Sequence, residues 1–116
     1  MMDDIIPNVP DFGNYIYIIE WSMIDLPQPK ILTYQPPLEM LQYGVGGNIE
    51  LIPYFNNLYQ RPCVAFCNEY GKQLMMKPNK LAQKLWEESI GRPILEDHLV
   101  GNIVVIVAEP SFLREM

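Results

Sequence analysis

The residues best equipped for chemistry stand between positions 61 and 80, where Arg61, Lys72, Lys77 and Lys80 are interspersed with Asn68 and Asn79. Ammonium and guanidinium groups beside side-chain amides are the donors that hold a phosphate or a carboxylate. Lys77 and Lys80 flank Asn79, where a helix is expected to begin, and the unpaired N–H groups of a helix N-terminus add partial positive charge. Glu87 and Glu88 fall at the far end of the same helix. The charges therefore run opposite to the stabilising order, at roughly 0.3–1 kcal/mol for each misplaced group. A local cost of this kind is what a ligand site imposes. We read Asn68, Lys77, Asn79 and Lys80 as ligand-binding, with Lys72 and Arg61 joining them if the turn after the third strand folds over the helix start. Each residue also has an ordinary role open to it, the lysines as solvated surface groups and the asparagines in turns and caps.

Covalent chemistry finds less support. His98 is the one imidazole, and Ser22, Ser89 and Ser111 lie in no Gly-x-Ser-x-Gly turn. Cys63 and Cys67 share an apolar run that reads as a strand, which puts them on one face about 13 Å apart. That is too far for a disulfide, and apolar neighbours keep a thiol protonated and inert. The adjacent carboxylates of Glu87-Glu88 and Glu96-Asp97 diverge or face water instead of forming an acid–base pair. Gly44-Val-Gly-Gly47 lacks the spacing of a phosphate loop, and one histidine with no second close cysteine pair gives zinc no ligand set. We expect a non-enzymatic protein with no cofactor and no metal.

Charge narrows the partners. Eight bases against fourteen acids leave a net charge of −6, which repels a polyphosphate backbone and disfavours general nucleic-acid binding. The balance is uneven: residues 1–60 carry one base and seven acids, whereas residues 61–92 carry six bases and three acids. The acidic start Met1-Met2-Asp3-Asp4 is not a secretory leader, and no run of 18 apolar residues exists, so a cytoplasmic protein with no membrane segment is expected.

The elements that must position these groups follow from apolar pattern and from eleven prolines. Residues 1–13 read as an irregular arm and residues 14–116 as a single domain. Asn14–Trp21 reads as a strand, Leu38–Tyr43 as a short helix stopped by Gly44, and Asn48–Tyr54 as a strand whose Pro53 belongs at an edge. Cys63–Cys67 is a third strand. A helix from Lys80 to Ser89, capped by Asn79, stripes Leu81, Ala82, Leu85 and Trp86 along one side. Gly101–Ala108, apolar throughout, suits a central strand. The order β-α-β-β-α-β predicts a small two-layer α+β sandwich, an antiparallel four-stranded sheet with two helices on one face. The other face would then leave Tyr15, Tyr17, Tyr54 or Phe66 in water, and a homodimer is one way to cover them.

Four stretches, Gly46-Gly47-Asn-Ile-Glu50, Cys67-Asn-Glu-Tyr-Gly-Lys72, Pro78-Asn79 with Leu81-Ala82, and Gly101-Asn-Ile-Val-Val105, carry a resemblance. Over residues 38–108 the chain resembles short proteins of phages, plasmids and large DNA viruses grouped as domain of unknown function 3846. Where that family has a small residue and a Leu-Pro-like step before the asparagine, this chain has Leu74-Met-Met-Lys77. The resemblance implies a viral or mobile-element accessory protein acting in the host cytoplasm. Joined to the basic, Asn-rich segment, it leads us to expect capture of a small anionic, nucleotide-type host signal that counters host defence. The alternative is a protein–protein module that binds and inhibits a host protein through an acidic or aromatic surface.

Overall fold

The last apolar run decides the architecture. In the computed structural model, which describes residues 9–116, Ile103–Val107 is a strand whose five side chains are all buried. A strand apolar on both faces needs cover on both. Numbered along the chain, the elements are β1 (Tyr15–Ile19), β2 (Lys30–Ile31), α1 (Leu38–Val45), β3 (Ile49–Leu51), β4 (Asn57–Leu58), β5 (Arg61–Asn68), α2 (Lys80–Ile90), β6 (Ile103–Val107) and α3 (Pro110–Arg114). The sheet runs β2-β1-β6-β5-β3, with β4 paired to the start of β5, and every pairing is antiparallel.

Side-chain alternation splits the core in two. Tyr17, Ile19, Cys63, Ala65, Ile103, Val105 and Val107 pack with Ala82, Leu85 and Trp86 of α2. Ile16, Phe66, Val104 and Ile106 face the other way, onto Leu41 and Val45 of α1, with Phe112 and Leu113 of α3 beside them. The described residues thus form an α+β globule with a six-stranded antiparallel sheet and three helices. Two expectations are corrected: the sheet has six strands instead of four, and its helices lie on both faces instead of one. The short β2, β4 and α3 carry too few residues to show a period. With both faces covered, Tyr17 and Phe66 are buried and Tyr15 is half-buried, which removes the reason for a second chain to cover the sheet. Tyr54 alone of that group stays in water.

Local signals place the main elements well. Asn79 caps α2, Gly91 ends it with φ 91°, and Pro53 follows an edge strand. Residues 9–13 hold neither helix nor strand, and the rest of the expected arm lies outside the described residues. Gly44 does not stop α1. The helix runs on to Val45, and Gly46 with φ 80° is its left-handed terminator. Gly44 is needed for a different reason: a Cβ there would stand 2.4 Å from Val104 Cγ2 in the packed layer between α1 and β6.

Replacing a glycine by alanine inside a helix ordinarily stabilises it by about 1 kcal/mol. At Gly44 we expect the reverse, because overpacking a filled core costs roughly 1–3 kcal/mol. Urea unfolding of Gly44→Ala should show a lower midpoint than the parent chain; a raised midpoint would mean that α1 does not press on β6.

Candidate functional site

Asn79 fixes the entrance of α2 and has no exposed surface. Its Oδ1 accepts the Ala82 N–H at 3.0 Å, while Nδ2 donates to the carbonyls of Ile19 at 2.8 Å and Gly101 at 2.9 Å. Its own N–H reaches the Leu99 carbonyl. One buried amide therefore ties the helix start to the end of β1 and to the turn entering β6. Asn68 is also spent on structure: Nδ2 donates to the Val45 carbonyl at 3.2 Å and Oδ1 accepts the Tyr70 N–H at 2.8 Å. Gly47 lies against it, close enough that a Cβ would come within 2.8 Å of Nδ2. The two asparagines read as ligand-binding are thus buried scaffolding.

The four cations do not gather at one place. Arg61 opens β5 and Asn68 closes it, so about 23 Å of strand separates them at roughly 3.3 Å per residue. The buried guanidinium donates to the carbonyls of Pro10 at 3.1 Å and Gly13 at 2.8 Å, and to Glu109 at 2.9 Å. It anchors the segment before β1 and does not join the helix start. Lys72 is paired with Asp97. Burial pulls the Asp97 carboxyl upward, but hydrogen bonds from Lys72 and the His98 N–H, with the nearby positive charge, hold it below its usual range. Lys77 and Lys80 remain. Neither has a carboxylate partner among the described residues, and Lys77 lies over the Trp21 ring, its Nζ 5.9 Å from the centroid.

Trp21 and Lys77 line a cavity of about 340 Å³ with Val45, Gly46, Met75, Met76, Gly101 and Asn102. Among the described residues, Lys77 is the only charged one in that lining. Asn102 Oδ1 accepts the Trp21 N–H at 3.1 Å, fixing the backbone that carries the ring. Composition and local pattern give Trp21 no special place; it becomes visible as a site residue only when Asn79 brings the end of β1 beside the start of α2.

A second cavity of about 220 Å³ opens beside β3, between Glu50, Cys67, Glu69 and Lys72 on one side and Trp86, Asp97, His98 and Leu99 on the other. Burial and then the Glu50 charge push its Cys67 thiol up to about 11, which disfavours the thiolate at neutral pH. The reversed helix charges now divide: the Glu87 carboxylate accepts the Ile94 N–H at 3.1 Å and so fastens the loop after α2, whereas Lys77 and Lys80 have no structural task of that kind. No protein-family model, curated protein or solved structure matches the chain.

Burial pushes Cys63 up to about 12 as well. A group whose pKa is raised on folding lends stability that is whole below its unfolded value and disappears as pH climbs toward the folded one. From an unfolded thiol near about 8.5, the urea midpoint should hold steady up to about pH 8 and then fall toward pH 11. A midpoint unchanged between pH 8 and pH 10.5 would contradict the burial of Cys63 and the half-burial of Cys67.

Proposed function

We propose that this chain is a non-enzymatic binding protein whose ligand is a small anionic molecule of nucleotide type, taken up in the Trp21 cavity. As the sequence resemblance implies, we place it as an accessory protein of a virus or mobile element that sequesters such a signal to counter host defence. The supporting observation is the pairing of an aromatic ring with an ammonium that has no carboxylate partner among the described residues, in a cavity whose described lining holds no carboxylate. An aromatic face accepts a base by stacking, while Lys77, with Lys80 at the first turn of α2, supplies charge for phosphate. The cavity volume lies within the range of small-ligand sites, about 300–1,000 Å³. In a protein of net charge −6, a spot with no acid among the described residues lining it is where an anion meets least repulsion. Lys72, neutralised by Asp97, and Arg61, at the other end of β5, drop out of the site; Trp21 and Asn102 enter it.

Thermal unfolding with a panel of linear and cyclic nucleotides tests the proposal. Ligand at about a thousand times its Kd adds roughly 4 kcal/mol, so one member of the panel should raise Tm clearly. Lys77→Glu and Trp21→Ala should each abolish that rise, whereas Arg61→Lys should retain it. No shift across the panel, or a shift that survives both substitutions, would sink the nucleotide reading.

A further inference from the structure

A different part of the molecule carries an inference independent of the nucleotide site. Among the described residues, β3 is the last strand of its sheet and pairs only with β5. The Asn48 carbonyl accepts the Glu69 N–H and the Ile52 N–H donates to Ala65, so Asn48, Glu50 and Ile52 spend their backbone groups on β5. By the alternation of an antiparallel ladder, Ile49 and Leu51 turn theirs outward. Leu51 is 57% exposed and Tyr54 75%. The edge is short, and Pro53 ends it, its carbonyl taken by Trp86 Nε1 at 2.9 Å.

Beside this edge, on the α2 face, lies the second cavity. Glu50 stands opposite Cys67 in the ladder, and Cys67 and Ile52 belong to the core on that face. Trp86 and Leu99 add apolar wall. At the rim, Glu50 accepts a hydrogen bond from Cys67 Sγ at 3.9 Å, and neither Glu50 nor Glu69 has a basic partner among the described residues, while Asp97 is already held by Lys72.

We propose that β3 is a docking edge for an extended segment of another protein, which adds as a strand and sets a lysine or arginine side chain into the Glu50 cavity. Strand addition obtains affinity from main-chain hydrogen bonds and specificity from pockets for alternate side chains. Here the outward groups of Ile49 and Leu51 supply the first. The apolar wall fits a long aliphatic stem, and Glu50 and Glu69 meet its cationic head. Charge selects this occupant over a second copy of the chain, because pairing β3 with its own copy would set two Glu50 carboxylates at neighbouring positions on one face.

The test uses the full chain and two fluorescein-labelled heptapeptides, one alternating valine with arginine and the other valine with glutamate. Anisotropy should give the arginine peptide at least tenfold tighter binding, and Glu50→Gln and Leu51→Pro should each weaken it severalfold. Leu51→Pro removes an outward N–H at a tolerated edge position, and hydrogen exchange on the unaltered chain gives a readout that does not depend on that variant folding. The amides of Ile49 and Leu51 should exchange more slowly when the arginine peptide is bound. Equal binding of the two peptides, or unchanged exchange at both amides, would overturn the proposal. So would concentration-dependent protection of the same amides without peptide, the signature of a homodimer across this edge.

Discussion

Three hydrogen bonds made by one buried side chain, the amide of Asn79, hold this structure to its arrangement. An unsatisfied buried polar group costs about 1–3 kcal/mol, so Ile19, Gly101 and the first turn of α2 have no low-energy way to part. What the sheet brings to that point follows from it: the end of β1 carries Trp21, the turn into β6 carries Asn102, and the approach to α2 carries Lys77. The cavity is a consequence of the scaffold, and the scaffold's binding amide is too deep to touch a ligand.

The same economy governs charge. Arg61 is surrounded by carbonyl oxygens and Glu109, Lys72 by Asp97, and Glu87 by an amide of the next loop. These contacts explain most charged groups near the core as fasteners of irregular segments, which a chain with eleven prolines has in number. Among the described residues, Lys77 and Lys80 have no carboxylate to hold, at the helix end where positive charge is least welcome. One face of the molecule thus offers an ammonium beside an indole, and another offers carboxylates with no basic partner among the described residues, beside a terminal strand of the sheet.

Much of the fold was legible because its signals are local. Asn79 is a cap by residue type, Gly91 a terminator, and Gly101–Ala108 too apolar to stand anywhere but the sheet centre. The placement of α1 opposite α2 was not legible, since the choice of face depends on which strands end up adjacent; yet the unbroken burial of β6 already required two covered faces. Of the candidate site, Lys77 and Lys80 were visible as misplaced charges. Trp21 was not, because its neighbours in space come from distant parts of the chain. Arg61 and Lys72 misled for the same reason: their carboxylate partners lie 48 and 25 positions away, beyond the reach of any local rule.

The two tryptophans divide the cavities between them, Trp21 in one and Trp86 in the other, and their indole N–H resonances make the most direct test. In a ¹⁵N-labelled sample titrated with the nucleotide that most raises Tm, or with adenosine monophosphate if none does, the account predicts that the Trp21 indole and the Gly101 and Asn102 amides move together while the Trp86 indole stays in place. A titration that leaves Trp21 unmoved, or that moves Trp86 instead, would contradict it.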